Sequence, residues 1–212
     1  AASRVEGKPA GARTVYSYQP ELYAPEKASI TIRMWLTHSG GLESYAPLNR
    51  KHKGRADFIT QINARPLRSV PGTATVYSDW DMVLLQAVIE RITGLPLDQF
   101  AASRVFQPLG MADTQFLPDT ANASLRHRIA PTAVDTARGG LLQGTVHDGN
   151  AWALGGVSGH AGLFSSARDR AVFAQTVLAG GADGATRPLA PTTRARWAAG
   201  AAPVRDMVVD GW

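Results

Sequence analysis

Cysteine is absent from the 212 residues, which excludes disulfides, thiolate–metal sites and a cysteine nucleophile together. Long apolar runs are absent as well: none approaches the roughly 18 residues that a bilayer span requires. No basic-then-apolar leader stands at Ala1, so an export signal is expected to have been removed or to lie outside the sequence. Charge is scarce, at 18% of residues against 44% apolar, the balance of a folded domain rather than a disordered chain. Neither an internal repeat nor a low-complexity linker interrupts it, so residues 1–212 are expected to form part of one domain. Within it, residues 1–28 are only weakly patterned, with Gly7, Pro9 and Gly11 breaking any helix.

Metal-site spacing is missing too. Five histidines are present, His38, His52, His127, His147 and His160, and no two stand at the i, i+4 spacing of a helical zinc site. No metal and no cofactor is expected. The net charge is +5, yet the cations are scattered. Their densest run, Asn49 to Arg55, has no interleaved aromatics and no nucleic-acid-binding pattern beside it. It reads as a solvated loop, and no nucleic-acid partner is expected.

What is present is helical patterning broken by glycine. Ser29–Ile32 leads into a short helix over Arg33–Thr37, ended by Ser39-Gly40-Gly41. The clearest helix follows Tyr77, with Ser78 or Asp79 able to cap it. There Met82, Leu85, Ile89 and Ile92 recur at spacings of 3, 4 and 3 and predict the buried face. Gly94 ends this helix, and Pro96 begins another that runs on to Pro108-Leu109-Gly110. A third opens at Ser165 or Ser166, with Asp169 complementing its positive end. It carries Val172, Phe173, Val177 and Leu178 and stops at Gly180-Gly181. Between these helices, Pro118 to Gly162 reads as one long, glycine-rich, irregular loop, and loops of that length tend to be functional.

Four blocks carry a resemblance. Ile30-Thr31-Ile32-Arg33 through Leu36-Thr37-His38-Ser39-Gly40-Gly41-Leu42 is similar to the "ITIRHLLTHTSGL" stretch of class C β-lactamase-like hydrolases and family VIII-type esterases. Pro71-Gly72 with Val76-Tyr77-Ser78-Asp79 resembles their "PGxxxxYSN" segment. Val105 to Thr114 resembles "IFEPLGMKDT", and Gly159 to Asp169 resembles "GxAGLFSTAxDL". The run Val146-His147-Asp148-Gly149-Asn150-Ala151-Trp152 is close to the "VHDENAW" of one hydrolase subfamily. The blocks stand in family order between about Ser29 and Gly181.

The resemblance to the β-lactamase and penicillin-binding-protein superfamily implies an α+β, transpeptidase-like fold, of which this chain covers mainly the helical region. It implies acyl transfer to a serine from a small ester, amide or β-lactam, with an esterase or a peptidase of cell-wall-type peptides favoured over a β-lactamase. The expected location is the periplasm or outside the cell. Tyr77 takes the place of the family's catalytic tyrosine. A phenol with an ordinary pKa of about 10 acts as a base only when cations favour the phenolate. Asp79 stands where the family has asparagine, which keeps a hydrogen-bond acceptor but loses the amide donor. His147, Trp152, Ser158 and His160 are expected to line the substrate pocket, although His38 and His160 read first as structural, hydrogen-bonding histidines.

The nucleophile is what these residues lack. No serine is followed three positions later by lysine; Ser165, for example, is followed by Arg168, and arginine stays protonated and cannot serve as a base. No Lys-Thr-Gly occurs. A hydroxyl needs an adjacent base to attack at neutral pH, so the serine–lysine block is expected upstream of these residues and the pocket strand downstream. The competing reading is a binding protein that kept the fold and lost the nucleophile.

Overall fold

The computed structural model describes residues 25–180; the weakly patterned residues 1–24 and the Gly181 end of the last helix lie outside the described residues. Helices dominate: α1 (Ile32–Leu36), α2 (Arg55–Ala64), α3 (Asp79–Thr93), α4 (Leu97–Ala101), α5 (Ala123–Arg126), α6 (Gly149–Ala153) and α7 (Ala167–Leu178). Strands β1 (Gln115–Phe116) and β4 (Leu163–Phe164) pair antiparallel, as do β2 (Pro131–Asp135) and β3 (Gly140–Gln143). The α+β, mainly helical expectation holds.

The main core gathers between α1, α2 and α3. Phe58, Ile62 and Trp80 are fully buried there, joined by Leu42, Leu48, Val83, Leu84 and Leu154. Helix α2 shows little periodicity in sequence; it reaches the core through Phe58 and Ile62, four residues apart and therefore on one face. Lys27, in the 3-10 turn Pro25–Ser29, closes over its end by donating to the carbonyls of Asn63 and Arg65.

The buried face of α3 differs from the one the spacing predicts. Trp80, Val83, Leu84 and the polar Asp81 and Gln86 point inward, while Ile92 is 59% exposed and Met82, Leu85 and Ile89 are half-buried. From Met82 to Ile89 the helix is apolar at every position but Gln86, so its period leaves the phase open. Packing of Trp80 settles it. Ser78 occupies the N-cap, but its hydroxyl donates to the Glu43 carbonyl at 2.7 Å instead of capping the helix. Gly94 closes the other end in the left-handed conformation, φ +70°.

Asp169 stands in the first turn of α7, as expected, and has a further task. It is buried and accepts from the Asp113 backbone N–H and the Thr114 hydroxyl, both at 2.8 Å. With the β1–β4 pair, this binds the Val105–Thr114 block to the start of α7, whose N-cap is Ser166. Phe173, Val177 and Leu178 on that helix are exposed. The span Pro118–Gly162 is not irregular throughout: it holds α5, the β2–β3 hairpin and α6. Asp135, which accepts from the N–H groups of Ala137 and Arg138, shapes the hairpin turn.

Candidate active site

Tyr77 immediately precedes α3 and is 47% exposed. Its ring packs against the imidazole of His38, with centroids 4.7 Å apart. His38 follows α1 in a left-handed backbone conformation, φ +52°, which is rare outside glycine and aims its side chain back at α3. Nδ1 of His38 lies 3.1 Å from Asp81 Oδ2 and 3.3 Å from the Ser78 backbone N. That one nitrogen either donates to Asp81 or accepts from Ser78. Burial pushes the Asp81 carboxyl above its usual range, and the contact with His38 opposes the shift.

Asp79 opens α3, and its carboxyl is met by charge from a second set of residues. Asp79, Asp148 and His160 place potential ligand atoms within 4.8 Å of one another. His160 is clamped at both nitrogens. Nδ1 lies 2.7 Å from Ser158 Oγ and Nε2 lies 3.0 Å from Asp148 Oδ1. Asp148 doubles as the N-cap of α6, accepting from the Ala151 N–H at 2.7 Å. Burial pushes Asp79 up, with Asp148 adding to the effect and His160 and His38 opposing it. Burial would raise Asp148 too, but hydrogen bonds from His160 and the Ala151 backbone outweigh it and hold this carboxylate below its usual range. The two acids are driven apart, a pattern common where proton-sharing groups face a reactant.

Two buried amides hold this side in place. Gln86 of α3 donates to the Val157 carbonyl at 3.3 Å and accepts from the Gly159 N–H at 2.9 Å. Asn150, fully buried, donates to the Ala46 carbonyl and accepts from the Asn49 N–H. Gly159 must be glycine here, because a Cβ would lie 2.2 Å from the Met82 carbonyl oxygen. The fold thus brings together Asp79, Ser158 and His160 and adds Asp148. The side chains of His147 and Trp152 take no part in that cluster. His147 is exposed and lines a groove of about 810 Å³ between the β2 segment and the start of α7, a groove that contains none of Tyr77, Asp79, Asp148 or His160. Trp152 is 42% exposed on α6, with Lys53 at 5.9 Å and Arg138 at 5.4 Å from its ring. A smaller cavity of about 270 Å³ is walled by Ser158, Gly159 and His160 on one side and by Leu97, Phe106 and Phe116 on the other.

Sequence reasoning missed Tyr45, which is 51% exposed and stacks on Trp80 with ring centroids 6.5 Å apart. Burial raises its phenol, with Asp148 and Asp79 acting in the same direction against Arg50. No local motif marks it. Asp148 carried a signal, its place beside His147, but its partner is the sequence-distant His160.

As for metal binding, the Asp79–Asp148–His160 trio is the one such group among the described residues. Tetrahedral zinc, with bonds of about 2.0–2.2 Å, spaces its donors more widely than a direct hydrogen bond does. The 3.0 Å contact between Asp148 and His160 is that of a shared proton.

Comparison with known proteins identifies the family. Residues 6–212 match the family described as Beta-lactamase. The Escherichia coli K12 protein named "Putative D-alanyl-D-alanine carboxypeptidase" is 34% identical over 176 residues, covering 74% of this chain and 41% of its own length. A Salmonella paratyphi B protein of the same name is 36% identical over 143 residues, covering 62% of this chain and 33% of its own. The chain therefore spans less than half the length of these curated relatives. Among solved structures, a penicillin-binding protein from Bacillus halodurans superimposes with TM-score 0.59 at 19% identity, over 81% of this chain and 51% of that one. The D-amino acid amidase of Ochrobactrum anthropi does so with TM-score 0.57 at 24% identity, over 81% and 48%. At these identities the structures speak for the fold; the family match and the curated relatives speak for descent. The chain belongs to the β-lactamase family, within the serine hydrolase and penicillin-binding-protein-like superfamily.

Proposed function

We propose that the whole protein is an exported serine hydrolase that forms an acyl-enzyme with small peptide, amide or ester substrates, and that D-alanyl-type peptides are its natural class. The observation that carries this is the arrangement at the start of α3. The Tyr77-Ser78-Asp79 block presents an exposed phenol packed on His38 and, two residues on, a half-buried carboxyl within 4.8 Å of a fixed Asp148–His160 pair. The curated relatives' name supports the peptide class, and the lost amide at Asp79 argues against fast β-lactam turnover.

In this mechanism a serine from outside residues 1–212 attacks the substrate carbonyl while the Tyr77 oxygen takes up the proton it gives off. Tyr77 later returns a proton to the leaving group, and a water deacylates the enzyme. Proton transfer of this kind contributes about 10²–10⁴-fold to rate. Asp79 forms the polar wall beside the acyl group.

The test is covalent labelling of the whole protein with a penicillin or fluorophosphonate probe, followed by peptide mass spectrometry. A single labelled serine outside residues 1–212 is the expected result. A label on a serine within them, Ser158 included, overturns the assignment of the nucleophile. No label at any serine, together with specific peptide binding, indicates the non-catalytic binding protein instead.

A further inference from the structure

Ser158, His160 and Asp148 form an unbroken chain of hydrogen bonds, 2.7 Å and 3.0 Å long. The chain has the composition of a nucleophilic triad, but its geometry rules against that role. Ser158 is 2% exposed and the His160 side chain 3%, so little of either group reaches solvent even where both border the cavity of about 270 Å³. What the chain does is immobilise an imidazole. Ser158 holds one nitrogen and Asp148 the other. The loop carrying both Ser158 and His160 is fastened to α3 by Gln86 and by the close approach of Gly159 to the Met82 carbonyl. The helix that locks the loop is the helix that begins with Asp79, so the distance between Asp79 and His160 is set by rigid parts of the fold.

The Asp79 carboxyl makes no hydrogen bond among the described residues; His160, Asp148 and His38 act on it electrostatically. Asp79 in turn acts on the Tyr45 phenol, in the segment before the 3-10 turn Leu48–Arg50, and Asp81 on its own helix is turned towards His38. An aspartate facing an acyl substrate has a difficulty that asparagine does not. As a carboxylate it repels the carbonyl oxygen of the substrate, whereas as a carboxyl it can donate to it. A neighbouring imidazole of fixed position decides between these states.

We propose that His160, clamped between Ser158 and Asp148 and held within 4.8 Å of the Asp79 carboxyl, is a positioning residue that sets the charge state of that carboxyl at the substrate wall. This rests on the reading of Asp79 as that wall. Asp148 supplies the fixed negative charge that works against Asp79 ionisation, and His160 supplies the opposing influence. Ser158 keeps the ring from turning.

The experiment uses the whole protein in wild-type, His160→Gln, Asp148→Asn and Asp79→Asn forms. Carbon-13 NMR of labelled aspartate follows the Asp79 titration. Its midpoint moves up in His160→Gln, which removes a group that lowers it, and down in Asp148→Asn, which removes one that raises it. The pH profile of kcat/KM with a chromogenic ester gives the second readout. His160→Gln lowers kcat/KM about tenfold in the wild-type background, a change of about 1.4 kcal/mol. In the Asp79→Asn background the same substitution changes it by no more than about twofold, because coupled residues are not additive. An unchanged Asp79 midpoint in both single variants overturns the proposal. So does an equal kinetic loss in the two backgrounds, which marks His160 as merely structural. If the wild type neither turns over nor labels, the hydrolase reading fails, and the NMR titration still decides whether His160 governs Asp79.

Discussion

The two sides of the candidate site are built in opposite ways. On one side, every residue from Gly72 to Tyr77 is exposed, and Tyr77 leans on a single imidazole. That side is anchored mainly through backbone bonds, Gly72 N to Ser39 O at 2.8 Å and Val76 N to His38 O at 2.8 Å. On the other side, Val157 and Ser158 are buried, His160 is bonded at both nitrogens, and two buried amides secure the flanking loops. The exposed side offers a reactive group to a substrate. The buried side holds charges at fixed distances, which water would otherwise screen. Stability should therefore respond to substitutions on the buried side and chemistry to substitutions on the exposed one.

The largest loss of stability is expected at Asn150. Alanine there removes both hydrogen bonds, leaves the Asn49 N–H without its partner and opens a void at a fully buried position, while the Ala46 carbonyl keeps the Leu48 N–H. The lost bond, the orphaned donor and the void together should cost about 2–5 kcal/mol by urea denaturation. A loss below about 1 kcal/mol would break the contrast. Next comes Gly159→Ala, whose new Cβ collides with the Met82 carbonyl oxygen. Overpacking of this kind costs about 1–3 kcal/mol. The loop should shift with it, which would appear as changed NMR signals of the His160 ring.

Glu43 gives a smaller effect, and one that depends on pH. It pairs with Arg65 and Arg68, and its carbonyl accepts from Ser78 behind Tyr77. Burial would raise this carboxyl, but the two guanidinium groups outweigh it and hold it below its usual value of 4.5. The unfolded chain therefore binds a proton more readily than the folded one, and stability from this group is present above the unfolded value. The advantage of wild type over Glu43→Gln should be full at neutral pH and disappear as pH falls through the lowered folded value. Paired melting curves over that range test it. A gap that persists unchanged into strong acid would point to shape rather than charge. The smallest effect is expected at Tyr77→Phe, which keeps the ring against His38 and deletes an exposed hydroxyl. Its stability should remain within about 0.5 kcal/mol of wild type.

The contrast also explains what could be read from the sequence. The short helix near Arg33–Thr37, the Gly94 stop of α3, the Ser166 cap and the mainly helical α+β class were all visible, because caps and left-handed glycines are local. The buried face of α3 was not, since a stretch apolar on nearly every side has no phase until Trp80 packs. Nor were the second partners of Asp169, because Asp113 and Thr114 are more than fifty residues away. Of the site candidates, Tyr77, Asp79 and His160 stand in the recognisable blocks, whereas Ser158 lies just before the last of them. The link between Asp148 and His160 could not be read, because twelve residues and helix α6 separate them. His147, the obvious neighbour of Asp148, turns instead towards the larger groove.

The central claim, that Tyr77 is the proton-transferring group of an acyl-forming site, is tested most directly by the acylation rate of Tyr77→Phe in the whole protein. Stopped-flow acylation by a chromogenic penicillin or ester, run beside a melting curve, should show a rate about 10²–10⁴-fold below wild type with the melting temperature unchanged. A rate within about threefold of wild type, from a variant as stable as the parent, would contradict the account, because phenylalanine removes only the hydroxyl on which the claim depends.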